Sequence, residues 1–183
     1  MAFLPPLRIF LYCALWVFSV VLLGLTAARI HYTTHLAPRD PLNHGRSFYD
    51  PIVAELLVTT ILTILWAPHI ALSIAKGRQE GILNTFAGEL LGNAILFLLW
   101  IVGAAISTSF WGDLGWCQQY QPCRILSALV AFAWLGWISL LFLIVLSLIH
   151  CVKNDAFGSP LHGRSYPRDS TVYTATDMRQ SHA

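Results

Sequence analysis

The sequence predicts an all-α fold: an integral membrane four-helix bundle, M-shaped, with both termini on the cytoplasmic side. Three observations predict it. Of 183 residues, 56% are hydrophobic and only 11% are charged, against about 25% charged in soluble domains. The mean hydropathy is +0.63. Four apolar stretches each reach the roughly 20 residues of helix that a hydrocarbon core of about 30 Å requires. Composition and hydropathy place the chain among membrane proteins. A formal charge of +2, with no basic cluster, leaves nucleic acid out as a partner.

The predicted membrane domain covers residues 1–152, with helices near 8–31, 52–76, 82–110 and 124–152. The first span has Arg8 followed by an uncharged run from Ile9 to Ala28. That run is about 20 residues, longer than the 7–15-residue core of a signal peptide, so it reads as a retained span. The second is entered through Pro51, a residue that suits the first turn of a helix. The third carries Glu89 and Asn93 in apolar surroundings, with Gly88, Gly92 and Gly103. The fourth follows Pro122. Each is apolar all round, as a helix facing lipid should be.

The connections set the topology. Residues 76–81 form a tight turn, so the second and third spans are antiparallel neighbours. Residues 31–51 form a polar loop with Pro38, Pro41 and Gly45, and residues 111–123 a short aromatic loop flanked by Trp111 and Trp116. Residues 153–183 read as a disordered cytoplasmic tail, too polar to bury a core of its own. It offers Ser165, Ser170, Thr171 and Tyr173 as candidate phosphorylation sites.

Orientation follows from the basic residues. The side with both termini holds Arg8, Lys76, Arg78, Lys153, Arg164, Arg168 and Arg179, and the other side Arg29, Arg39, Arg46 and Arg124. The excess marks the cytoplasmic side. Cys117 and Cys123 then face the oxidising compartment, where a disulfide persists. Such a bond closes a small ring and contributes about 2 kcal/mol in the chain-entropy account.

Glu89 is the residue that asks for an explanation. A carboxylate at mid-membrane costs about 3 kcal/mol, less near the interface. A span starting near Ile82 puts it roughly 10 Å from the cytoplasmic end. His69, six residues before Ala75, lies at similar depth in the neighbouring span, so the two are expected to pair directly or through water. One reading is a proton or ion relay, the other a structural polar contact. A relay needs a chain of such groups, and the rest of the bundle offers almost none. Pro68 removes a backbone hydrogen bond and bends the helix, a bend that would open room for Glu89 or only tilt the helix end.

Spacing assigns this stretch a packing face. Thr85, Glu89, Gly92, Asn93, Leu96, Trp100 and Gly103 recur at three- and four-residue steps. Gly88 and Gly92 form a G-x-x-x-G, which lets backbones approach closely. This face is expected to point into the bundle.

The remaining candidates carry less. Cys13 and Cys151 are juxtamembrane and are candidates for palmitoylation, or are ordinary small helix residues. His31 and His35 are four apart with His44 nearby, but no acidic or thiol partner accompanies them, so no metal is expected. Only His69 is partly deep, which leaves out haem. No catalytic constellation, cofactor motif or small-molecule substrate site is recognisable, so the chain reads as a non-enzyme.

The second half carries a family resemblance. Glu89 is followed by Phe97-Leu98-Leu99-Trp100 and Gly103-Ala104-Ala105. The fourth span opens with Cys123 and runs through Ala128, Ala131-Phe132-Ala133, Leu135 and Trp137. In these residues the chain resembles the MARVEL-domain tetraspan membrane proteins, the fungal members in particular. The resemblance covers roughly residues 5–152, with specific matches in about 85–140. It implies cytoplasmic termini and a role in vesicle trafficking, membrane apposition or the organisation of membrane regions. It implies no catalytic residues. No family motif is found in the first span. Claudin-like proteins carry their tryptophan and two cysteines in the first outer loop, whereas Trp116, Cys117 and Cys123 lie in the second. The expected partners are therefore the lipid bilayer and other membrane proteins, or the chain itself, through helix faces. The expected location is the plasma membrane or secretory and endosomal membranes. The competing expectation is a small transporter or channel subunit that uses Glu89 and His69 as a polar coupling site.

Overall fold

A stripe of buried positions organises the first helix, α1 (Leu4–Thr34). Arg8, Tyr12, Leu15, Ser19, Leu22, Thr26, Arg29 and Thr33 recur every three or four residues and are all buried. The helix carries apolar residues all round, so this stripe is marked by its polar groups rather than by amphipathicity. Ser19 and Thr26 hydroxyls donate to the carbonyls of Leu15 (2.8 Å) and Leu22 (2.9 Å), which satisfies them inside the helix. This is a computed structural model, and it describes residues 4–36, 46–76, 85–113 and 115–154.

Helix α2 (Pro51–Lys76) begins at Pro51, whose missing N–H costs nothing in the first turn. Helix α3 (Phe86–Trp111) is capped by Thr85, whose hydroxyl accepts from the Gly88 N–H at 3.2 Å. A 3-10 turn (Gly115–Cys117) leads into helix α4 (Gln121–Asn154). All four helices are long and apolar enough to cross a membrane.

Three helix starts differ from the sequence expectation by three or four residues. Helix α1 starts at Leu4, because Pro5 and Pro6 fall in its first turn. Helix α3 starts at Phe86 rather than 82. Helix α4 starts at Gln121 rather than 124, since Pro122 fits the first turn, and this places Cys123 on the helix itself. The expected tight turn, the prolines of the 31–51 loop with His44, and the tail from 155 onward lie outside the described residues.

The helices pack as a ring, α1 on α2, α2 on α3, α3 on α4 and α4 back on α1. Large aromatic side chains seat on glycines along two of these seams. A Cβ on Gly92 would overlap the Trp66 indole, and one on Gly136 would overlap Trp100. Gly103 lies under Leu56 in the same way. Close approach of this kind supplies dispersion contacts between the helices. Trp100 is fully buried, and its Nε1 donates to Thr63 Oγ1 of α2 at 3.0 Å. Trp134 Nε1 donates to Thr108 Oγ1 at 2.9 Å, joining α4 to α3.

One end of the bundle is fastened twice. The Arg29 guanidinium pairs with Asp50 at 3.2 Å and lies over the Phe48 and Trp111 rings. Cys117 and Cys123 form a disulfide with 5.9 Å between their Cα atoms.

The seams predict a contrast between glycines. Gly92→Ala and Gly136→Ala should each lower stability by about 1–3 kcal/mol through overpacking, read by reversible unfolding in mixed micelles. Gly24→Ala is the control. Nothing lies within 4 Å of its added Cβ, so its stability should stay within about 0.5 kcal/mol.

Candidate functional site

Glu89 lies one turn into α3 and is fully buried. Its nearest partners come from the two helices on either side of the ring's closing seam. The Arg8 guanidinium of α1 ion-pairs with Oε2. The Tyr12 hydroxyl, one turn further along α1, donates to Oε1 at 2.6 Å. Ser147 of α4 donates to the same oxygen at 3.2 Å.

The cluster continues away from the carboxylate. Asn93, one turn after Glu89, donates from Nδ2 to the Tyr12 hydroxyl oxygen at 2.8 Å. Trp66 of α2 donates from Nε1 to Asn93 Oδ1 at 3.0 Å. Indole nitrogen is a donor only, so this contact assigns the Asn93 amide. The donors then run in one direction, from Trp66 through Asn93 and Tyr12 to Glu89. Bonds aligned this way polarise one another and end on the one group that bears negative charge. All four helices contribute: Arg8 and Tyr12, Trp66, Glu89 and Asn93, and Ser147.

Local spacing explains the assembly. Arg8 and Tyr12, and Glu89 and Asn93, are each four residues apart and so share a helix face. A phenylalanine closes the cluster. The Arg8 guanidinium sits 4.8 Å from the Phe86 ring centroid, and the His150 imidazole stacks on that ring at 4.8 Å. Cys151 is buried at the same end.

Burial sets the energetics. The Arg8 and Glu89 side chains are 3% and 0% exposed. Such ions lose several kcal/mol of hydration each, and only close pairing with further hydrogen bonds offsets it. Here Tyr12 and Ser147 supply those further bonds. Loss of one ion would strand the other.

The expected partner of Glu89 is corrected. His69 is not bonded to it, and His69 Nε2 is buried with no hydrogen-bond partner; its ring lies 6.3 Å from Trp66. Matching depth did not suffice, because α1 places the Arg8 guanidinium against the carboxylate. Pro68 lies inside α2. It lines an apolar groove of about 530 Å³ between α1 and α2, beside Cys13 and Trp16. Gly88 is buried at the start of α3, and Gly92 seats Trp66 beside Asn93. Of the expected face, Glu89, Asn93, Leu96, Trp100 and Gly103 are buried, and Thr85 and Gly92 are half-buried.

The other candidates separate. Cys13 is exposed, as an acylation site requires, and Cys151 is buried. The His31 and His35 rings stack at 4.6 Å. Among the described residues no three His, Cys, Asp or Glu side chains cluster as metal ligands.

Two features escaped the sequence reading. Arg8 counted there only toward orientation, yet a buried anion asks for a buried cation, and Arg8 with Tyr12 was the available pair. Glu55 was passed over. It lies four residues after Pro51 in an apolar stretch, the same signal that singled out Glu89. Its Oε1 accepts from Thr59 Oγ1 at 2.9 Å, and its Oε2 is buried without a donor.

No protein-family model matches this chain, and neither a curated protein nor a solved structure is significantly similar to it.

The ion pair predicts non-additive substitutions. Arg8→Leu and Glu89→Leu should each cost about 3–5 kcal/mol by stranding a buried charge. The double variant should cost clearly less than their sum, because both charges leave together. A double-mutant cycle of unfolding free energies in micelles measures this.

Proposed function

We propose that this chain is a non-enzymatic, multi-pass membrane protein of MARVEL type that organises membrane regions or serves vesicle trafficking and membrane apposition. Its four helices span the bilayer, and both termini lie in the cytoplasm. The plasma membrane or a secretory or endosomal membrane is its location. The bilayer and neighbouring membrane proteins are its partners.

One observation carries this reading. Glu89, the most telling intramembrane group, is fully buried and held by Arg8, Tyr12 and Ser147 from two other helices. A transport carboxylate must exchange its partners with water or an ion as it works. A carboxylate with an ion pair and two donors, at zero exposure, is placed as a strut between helices. The excess of Lys and Arg on the terminal side supports the orientation, and the disulfide at the opposite end fits an oxidising compartment.

The competing reading, a transporter or channel subunit, relied on Glu89 acting with His69. It loses support because Glu89 is bonded to α1 and α4 instead.

Two measurements test the proposal. Proximity labelling from the C-terminal tail, read beside fluorescence localisation, should mark membrane proteins of one membrane region. Labelling confined to a transporter complex would overturn it. Purified protein in vesicles should raise proton and ion flux no further than protein-free vesicles do; a flux abolished by Glu89→Gln would establish the transport reading instead.

A further inference from the structure

The seam between α2 and α3 opens at the disulfide end into a groove of about 550 Å³. Ile52, Val102, Ile106 and Phe110 line it with apolar surface, and Asp50 and Glu55 supply its acidic wall. Exposed apolar residues on a helix of this kind identify nothing, since lipid tails match them as well as a protein does. The polar atoms are what select a partner in an apolar medium.

Asp50 is already engaged by Arg29. Glu55 is not. Its Oε2 is tucked toward Gly103, buried and without a donor. A buried carboxylate oxygen without a donor is unfavourable in apolar surroundings, so the groove favours an occupant that brings a cation. The Glu55 side chain itself lines the groove.

The chain itself carries a matching cation. Arg124 is exposed on α4 and forms no ion pair among the described residues. It sits two residues before the buried Leu126, roughly half a turn round the helix, so it faces away from the bundle. Its depth also matches. Glu55 lies four residues into α2 and Arg124 three residues into α4 from the same end of the bundle, about 6 Å and about 5 Å along the axis. Within one chain the two are not paired: Glu55 Oε2 has no donor, and neither ion pair among the described residues involves Arg124.

We propose that copies of this chain associate side by side in the membrane, with Arg124 of one copy entering the α2–α3 groove of the next and pairing with its Glu55. The contact joins two different surfaces, so it is heterologous. Copies share one orientation in the bilayer, and the contact therefore repeats around an axis along the membrane normal, building a ring or a row. This deepens the organiser reading by naming a partner. It rests on that reading for its use, while its test reads oligomeric mass alone.

The test exchanges charges in the full chain. Wild type in mild detergent and in native nanodiscs should run as an oligomer by light scattering and native mass measurement. Glu55→Arg and Arg124→Glu should each run as monomers with unchanged helix content and an intact disulfide. Mixing the two single variants should restore oligomers, because each groove then meets a complementary edge on the other chain. The double variant should also restore them. Should Glu55→Arg fail to fold, Glu55→Gln and Arg124→Gln replace the reversals, and each should weaken association at least tenfold.

Monomeric wild type overturns the proposal, as do single variants that keep the full oligomeric mass. Single variants that dissociate but are rescued neither by mixing nor by the double exchange overturn it too. So does a lipid retained on monomeric wild type and lost in Glu55→Gln, which would make the occupant of the groove a lipid head group.

Discussion

The structure depends on one buried ion pair. Glu89 on α3 and Arg8 on α1 bring opposite charges into a space with almost no water. Neither could stay there alone, because hydration lost on burial exceeds any single neutral contact. Their pairing therefore couples the position of α1 to that of α3 more strictly than apolar packing does. A carboxylate held by Arg8, Tyr12 and Ser147 fixes the distance and direction of its partners as well as their proximity. The directed run from Trp66 through Asn93 and Tyr12 extends the same restraint to α2.

Around that anchor the packing uses size contrast. Trp66 seats on Gly92 and Trp100 on Gly136, while their indole nitrogens reach Asn93 and Thr63. Each tryptophan thus fills a seam with its ring and satisfies its donor across the same seam. This pairs a non-directional contact with a directional one, and the second fixes the register that the first leaves free. At the other end, Arg29 with Asp50 and the Cys117–Cys123 disulfide hold the connections against the helix ends.

Two carboxylates on the apolar helices, Glu89 and Glu55, differ in how they are held. Glu89 is saturated from three directions and belongs to the fold. Glu55 has one oxygen held by Thr59 and one without a donor, at the rim of an open groove. Glu89 is built into the packing of three helices, whereas Glu55 keeps one carboxylate oxygen without a donor.

Much of this was legible in the sequence. Four apolar stretches of bilayer length determined four helices, since length and hydropathy are local properties of a chain. The steps from Glu89 through Asn93, Leu96, Trp100 and Gly103 determined which face of α3 turns inward, because helical periodicity is local too. Cys117 and Cys123 are close in sequence, and so their bond was readable. Only the tertiary structure decided what Glu89 meets. Depth along neighbouring spans pointed to His69, but an interaction also depends on the rotation of each helix about its axis and on the order of helices round the ring. Those quantities arise from packing between segments 81 residues apart, such as Arg8 and Glu89, and spacing within one segment carries no record of them.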